Sequence, residues 1–209
     1  FAVLAWRDVA VRYKQTVIGI AWALIQPLLT MVVFTFIFGN VADLPADGAA
    51  PYPVMVFAAL LPWQLFSTSL NQASNSVVTN SALVGKVYFP RMIVPCAASV
   101  VALVDFAISL GMLAVLMLIF GFLPGWQIVF FPVFVLLAIA TAIGPALWLS
   151  ALNVKYRDFR YIVPFIVQFG LYVSPVEFSS ANIPEDWRFF YGLNPMVRVI
   201  DGFRWCLLA

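Results

Sequence analysis

The chain has 209 residues, of which 64% are hydrophobic and only 10% are charged, and its formal net charge is +2. A soluble domain typically carries about a quarter charged residues, so this composition argues against a soluble protein and predicts an all-α, polytopic membrane protein. The small net charge argues against nucleic-acid binding. The chain has no histidine and two separated cysteines, which leaves no common zinc site and no histidine-based acid–base chemistry.

The first predicted element is an amphipathic interface helix over residues 1–14. It places aromatic residues at helical spacing and cations mostly on other faces, which suits the cytoplasmic headgroup layer with the cations toward anionic lipid. A simple positively charged anchor for the following span fits the same pattern. The residues that define this helix are Trp6, Arg7, Arg12, Tyr13 and Lys14.

Five stretches are long and apolar enough to predict membrane-spanning helices, which need about 20 mainly apolar residues. They cover residues 17–38, 53–70, 93–120, 128–152 and 162–176. The chain opens with Phe1 rather than Met, so we expect it to be part of a longer chain in which a sixth span follows.

Two polar residues lie inside these predicted spans. Gln26 precedes Pro27, which kinks a helix, and its amide is expected to find a partner within the bundle. Asp105 lies well inside the third span, where an ionisable group is by default a functional-site hypothesis. No second charge occurs at similar depth, so the interpretation favoured here is a carboxyl group hydrogen-bonded to a Ser, Asn or Gln of another helix.

The distribution of lysine and arginine predicts the orientation of the chain, because cytoplasmic loops retain these residues. Eight of the 11 cations lie before the first span, between spans two and three, or between spans four and five. The two opposite loops contain none. We therefore predict a multi-pass protein of a plasma membrane with its amino end in the cytoplasm.

The segment between spans two and three is predicted to be a polar cytoplasmic loop from Asn71, with a short helix from Ser81 to Val87. Such a helix is either a simple connector or a surface that inserts into a soluble partner.

The region over residues 182–208 predicts two short helices on the outer face rather than a sixth span. "NIPEDW" offers Asn182 as a helix cap with Glu185 three residues later, and Asn194-Pro195 separates the two helices. Arg198, Asp201 and Arg204 recur every three residues, which suits an amphipathic interface helix. Aromatic residues cluster on the first of the two helices.

The sequence also lacks the residues that several chemistries require. It has no glycine-rich phosphate loop of the form GxxxxGK[ST], and no two acids are placed as an acid–base pair for glycoside chemistry. We therefore predict no catalytic residues, no bound cofactor and no hydrolysis of ATP by this chain.

Four segments together resemble the membrane subunits of ABC transporters that export bacterial polysaccharides, within the ABC-2 permease class. The segment "RDVAVRYKQTVIGIAWALIQPLLTMVVFTFIFG" resembles the family's opening. Its later landmarks are matched in order by "LVGKVYFPRMIVP", "LNVKYRDFRYIVPFIVQFGLYVSPV" and "NPMVRVIDGFRWCLLA". The exported substrates of this class include O-antigen, capsular polysaccharide and teichoic acid.

The resemblance implies a bacterial inner-membrane homodimer with a channel between two six-span subunits. It implies two copies of a separate ATPase that binds ATP and Mg²⁺, a lipid-linked polysaccharide as substrate, and contact with membrane lipid. It implies a cytoplasmic coupling loop over residues 76–91. The residues it assigns to ATPase coupling are Ser81, Leu83, Val84 and Lys86. Those it assigns to the outward gate and substrate path are Trp187, Phe190, Tyr191, Arg198 and Phe203.

Three other functions remain open from the residues alone. One is an ABC-2 exporter of drugs or small lipids, and the second is an integral membrane enzyme of glycolipid metabolism, which should need clustered acids or histidine near the interface. The third is an ATP-independent channel or secondary transporter, which should function without a nucleotide-binding partner.

Overall fold

A computed structural model describes residues 1–14, 19–41, 50–176 and 185–208, and for residues 14, 19–23, 40, 41, 186, 188 and 190 it describes the backbone alone. All regular elements within these ranges are helical. The helices are α1 (Ala2–Lys14), α2 (Gly19–Phe34) continued by a π-helical segment (Thr35–Val41), α3 (Tyr52–Thr79), α4 (Ser81–Lys86), α5 (Ile93–Ile119), a 3-10 helix (Trp126–Phe130), α6 (Phe131–Lys155), α7 (Phe159–Val173), α8 (Glu185–Gly192) and α9 (Pro195–Leu208).

Helix α3 is the centre of the bundle. It packs along its length against α5 and α6, and it also contacts α2, α7 and α9. Its first half is almost completely buried, including Ala58 and Ala59, which have no exposed surface. Small residues at these positions let neighbouring helices approach closely, as is usual between helices in membranes.

Helix α3 is longer than the sequence predicts. The second span was expected to end at residue 70 and a polar loop to begin at Asn71, but the helix continues to Thr79. Asn71, Asn75 and Asn80 each donate a side-chain hydrogen bond of 2.9 Å to the carbonyl four residues earlier. These amides therefore bond to the helix that carries them, and the expectation of a loop was wrong for this segment.

Specific residues end α5 and begin α9. Gly121 follows α5 with φ +66°, and the amides of Gly121 and Phe122 donate to the carbonyls of Leu118 and Met117. This is a Schellman motif, in which glycine adopts the left-handed conformation at little cost.

At the start of α9 the Asn194 side chain accepts from the Met196 amide at 3.0 Å, so the helix begins where Asn194-Pro195 predicts.

Three helices are long and apolar enough to cross a membrane, among the residues that the structure describes. They are Tyr52–Thr79, Ile93–Ile119 and Trp126–Lys155, and two shorter apolar helices cover Leu24–Gly39 and Phe159–Val173. All five overlap the five predicted spans. The number of spans in a membrane and their orientation stay predictions.

One polar contact places the carboxyl ends of α3 and α6 at the same end of the bundle. The buried Asn153 amide of α6 donates to the Ser74 carbonyl at 3.2 Å and to Asn75 Oδ1 at 2.8 Å. Because α4 follows α3 directly, Lys86 lies at the same end as Lys155. The side of the membrane that this end faces stays a prediction of the charge rule.

Candidate functional site

Polar side chains concentrate on the part of α3 that lies beside two cavities. We call these residues the polar face; they are Gln64, Ser67, Thr68, Asn71, Gln72, Asn75, Ser76 and Thr79. They recur every three or four residues, which is the spacing of one helix face. In a membrane helix, such a face normally lines a cavity or contacts other helices, because polar groups in lipid are costly.

The larger cavity has a volume of about 600 Å³ and lies between α1, α3 and α5. Its α3 wall carries the carboxamides of Asn71, Gln72 and Asn75, while Arg7 and Arg12 lie on the α1 side. The smaller cavity, of about 100 Å³, lies deeper along α3. Arg12 borders both cavities.

Arg12, which borders both cavities, forms an ion pair that links α1 to α5. Arg12 Nη2 lies 2.7 Å from Asp105 Oδ2, and the Tyr13 hydroxyl donates to Asp105 Oδ1. The Gln72 amide is assigned the orientation that satisfies both of its groups, in which its nitrogen donates to the Ala98 carbonyl at 3.1 Å and its oxygen accepts from Arg12. Residues from three helices therefore form one polar cluster, in which Arg12 links the Asp105 carboxylate to Gln72.

This cluster corrects two expectations. Asp105 was expected to bond to a Ser, Asn or Gln, and Arg12 and Tyr13 were expected to face lipid and the membrane interface. They contact Asp105 instead because α1 packs along α5, and this brings a cation and a phenol to the carboxylate. Burial, and then the hydrogen bond to Asp105, raise the pKa of the Tyr13 phenol above its ordinary value, so Tyr13 remains a neutral donor.

The other predicted interface-helix residues separate into two groups. Trp6 is exposed, in keeping with a role at the membrane surface. Arg7 donates to Asn80 Oδ1 at 2.6 Å and pairs with Asp8 at 2.7 Å, so it links α1 to the end of α3 rather than pointing only toward lipid. The Lys14 side chain lies outside the described residues.

Gln26 lines the smaller cavity together with Asp105 and Ser109. Its side chain is exposed, whereas the neighbouring Pro27 is buried. The smaller cavity near Asp105 is therefore lined in part by Gln26, the residue that the sequence predicted to face the bundle.

Helix α4 stands out from the bundle at the end that carries the cations. None of its residues is buried: Ser81 and Lys86 are exposed, and Leu83 and Val84 are half-buried. This short helix follows directly on the polar face, and no other described element covers it.

The predicted outward gate residues are placed in different environments. Trp187 and Arg198 are exposed and Tyr191 is half-buried, whereas Phe203 is completely buried. The Phe203 ring packs at 6.0 Å from Phe106 and 5.0 Å from Phe131, between centroids. Phe203 is thus a core residue joining α5, α6 and α9, and its assignment to the substrate path is corrected.

Other gate predictions are corrected or lie outside the description. Arg204, expected on the polar side of α9 with Arg198, is buried and donates to the Val176 carbonyl at 3.0 Å. The Phe190 side chain and the predicted cap Asn182 lie outside the described residues.

An aromatic cluster between the 3-10 helix and α9 was missed in the sequence. The Trp126, Phe130 and Trp205 rings lie 5.8–6.4 Å apart, and all three are substantially exposed. Trp126 and Phe130 stand four residues apart, but nothing in the sequence indicated that Trp205 would join them.

The described residues hold no group of three or more His, Cys, Asp or Glu side chains that could bind a metal ion. Their polar contacts include the Arg12–Asp105 and Arg7–Asp8 pairs, the carboxamides of the polar face and backbone-bonded hydroxyl groups. This arrangement can bind polar groups and couple helices.

Comparison with known proteins supplies the context for this geometry. The family model described as ABC-2 type transporter matches residues 1–208. The chain is 30% identical over 203 residues to the O-antigen export system permease protein RfbA of Myxococcus xanthus, covering 96% of this chain and 77% of that protein. It is 26% identical to a protein of the same name from Klebsiella pneumoniae, with 97% and 77% covered. It is 22% identical to the polysialic acid transport protein KpsM of Escherichia coli, with 93% and 76% covered.

Proposed function

Because this chain belongs to the ABC-2 type transporter family, we propose that it is the membrane-spanning permease of an exporter that moves lipid-linked polysaccharide across the bacterial inner membrane. The names of its relatives support this substrate class, since they are permeases for O-antigen and a transporter of polysialic acid. The chain is a transport subunit and not itself an enzyme.

The energy for transport comes, in this proposal, from a separate ATPase that docks on α4. The exposed surface of α4 and its position at the cation-rich end of the bundle support this role. Two permease chains and two ATPase chains form the working exporter, with the amino ends and α4 in the cytoplasm.

The internal geometry supports a route by which ATPase movement reaches the membrane. Helix α4 follows α3 after Asn80, and the end of α3 is bonded to α6 through Asn153 and to α1 through Arg7. A displacement of α4 would therefore be transmitted to α3, α6 and α1. The polar face lies along the same part of α3, where movement would change the cavities.

A combined purification and export experiment tests the proposal. The full-length chain, purified from its native bacterium, should co-purify with an ABC-type ATPase, and deletion of the permease gene should abolish surface polysaccharide until the gene is restored. In proteoliposomes, lipid-linked glycan should stimulate ATP hydrolysis more strongly than hydrophobic drugs do. Preferential stimulation by drugs, or surface polysaccharide that persists without the gene, would reject the proposal.

A further inference from the structure

The smaller cavity is surrounded by polar side chains that lack partners. Its lining includes Gln64 and Thr68 of α3 and Ser109 of α5, together with the Arg12–Asp105 pair. Within the described part of the chain, the side chains of Gln64, Thr68 and Ser109 form no hydrogen bond with another residue. Polar groups without partners are costly inside a membrane protein, so these three side chains require a polar occupant of the cavity.

The size and the charge of the smaller cavity select water as that occupant. One water needs at least about 10–15 Å³ and two to four polar partners, so a cavity of about 100 Å³ holds several waters. Sugar units and other larger ligands need pockets of at least about 300 Å³. A metal cation would be repelled by the Arg12 guanidinium in the same wall. Water both donates and accepts, so it can pair with amide, hydroxyl and carboxylate groups alike.

Arg12 connects the smaller cavity with the surface of the protein. It also lines the larger cavity, which reaches Thr79 and Asn80 at the end of α3 and has Val11 on its wall. Val11 is 56% exposed, so the larger cavity is open. The Arg12 side chain is itself 41% exposed, whereas that of Asp105 is 17% exposed. The guanidinium group therefore extends from the open cavity to the deep carboxylate, and it forms a polar route along which water can pass.

We propose that the two cavities form one water-filled crevice, which runs from the end of the bundle that carries α4, past Arg12, to Asp105 and Ser109. Ser109 lies about 24 Å from the start of α5, at 1.5 Å per residue, so the crevice enters the apolar part of the bundle. Its waters complete the hydrogen bonding of Gln64, Thr68 and Ser109. They also solvate the Arg12–Asp105 pair, which lowers the cost of burying its charges. The crevice does not depend on which substrate the permease exports.

Cysteine reactivity measures this hydration, because a thiol reacts as the thiolate and stays protonated in apolar surroundings. Ser109 and Ser99 are a matched pair: both lie on α5 and are 3% exposed, but only Ser109 lines one of the two cavities. Each is replaced in turn by Cys in the full-length permease, whose native cysteines are changed to Ala. Native membranes, disrupted so that both faces are reached, are treated with 2-aminoethyl methanethiosulfonate. The mass of the purified chain gives the rate of modification.

We expect Ser109→Cys to react at least about tenfold faster than Ser99→Cys, since only its thiol can ionise in contact with water. Ser99 lies nearer the start of α5, so fraying of the helix end would produce the opposite order. Ala102 also lines the smaller cavity and is 1% exposed. Ala102→Cys should therefore react as fast as Ser109→Cys, and it serves in its place if that variant does not fold. Equal rates for Ser99→Cys and the cavity variants would overturn the crevice.

The entry route is tested by filling the larger cavity. Val11→Trp places an indole on its wall, whereas Val3→Trp changes a residue of the same helix that is 83% exposed and lines neither cavity. In the chain that carries Ser109→Cys, Val11→Trp should slow the reaction at least about fivefold, because the indole displaces water from the route. Val3→Trp should leave the rate unchanged. An unchanged rate with Val11→Trp, or equal slowing by both changes, would overturn entry through the larger cavity.

Discussion

Asp105 of α5 is held by two residues of α1, so this one side chain fastens one helix to another. It lies about 18 Å from the start of α5, at 1.5 Å per residue, and it is bonded to Arg12 and Tyr13 of α1. A carboxylate at this depth without a cation would be costly. The pair is therefore a stability requirement for keeping α1 against α5.

Removing this carboxylate should loosen α1. We expect Asp105→Asn to lower the free energy of unfolding by about 1.5–3 kcal/mol, the range for a hydrogen bond to a charged group, and thermal denaturation in detergent would measure it. Arg12→Gln should have a similar effect. The double variant should lose less than the sum of the two single changes, because residues in contact are coupled; fully additive losses would contradict the pairing.

Gly202 is a second position at which one residue type is needed, because a side chain there would collide with a neighbour. A Cβ atom added there would lie 2.0 Å from the Phe134 ring, so Gly202→Ala should destabilise the contact between α9 and α6 by about 1–3 kcal/mol. The midpoint of thermal unfolding measures the effect. Gly192→Ala is the control, since nothing lies within 4 Å of that position. A second change, Phe134→Leu, should recover part of the loss; equal stability of both alanine variants would count against the packing.

Among the elements, α4 differs from its neighbours because it is short, lacks buried residues and continues directly from the most buried helix. A surface substitution on α4 leaves the core intact. Its effect on transport should therefore separate from its effect on folding. This makes α4 the element on which the docking role can be examined most directly.

Replacing Leu83 by Glu should uncouple transport. A carboxylate at this half-buried position opposes apolar docking to an ATPase, so we expect surface polysaccharide to fall at least about tenfold while the amount of permease in the membrane is unchanged. Leu123→Glu, at an exposed position in the loop after α5, is the control and should keep export near the unsubstituted level. Normal export by the Leu83 variant would contradict the proposal that an ATPase docks on α4.

At the scale of the whole molecule, orientation is the property on which the proposed function depends most. The contact of Asn153 with Asn75 places the carboxyl ends of α3 and α6 together, and the cations at this end predict that it faces the cytoplasm. With five spans and a cytoplasmic amino end, α8 and α9 are predicted to lie on the outer face. A bundle in the opposite orientation would present α4 to the wrong compartment.

Cysteine labelling measures this orientation. In a chain with Cys96 and Cys206 replaced by Ala, Lys86→Cys should resist a membrane-impermeant maleimide in intact cells, because it faces the cytoplasm. Leu123→Cys should be modified under the same conditions. After the cells are opened, both should react. Modification of the residue-86 cysteine in intact cells would overturn the orientation and the docking of a cytoplasmic ATPase.

The sequence by itself determined the membrane class, the approximate limits of the apolar helices and the exposed short helix α4, because composition and hydrophobic length act locally. The break at Asn194-Pro195 is likewise a local signal. Its four-segment resemblance also indicated the family to which the chain belongs. These features depend on neighbouring residues along the chain.

Tertiary structure alone decided which distant side chains meet. The amphipathic pattern of α1 placed Arg12 and Tyr13 toward the membrane surface, yet packing against α5 brought them to Asp105, 92 residues from Tyr13. Phe203 likewise entered the core because α9 packs against α3 and α6. Helical periodicity specifies a face but not its partner, and the partner depends on how the whole bundle excludes polar groups from lipid and fills its interior.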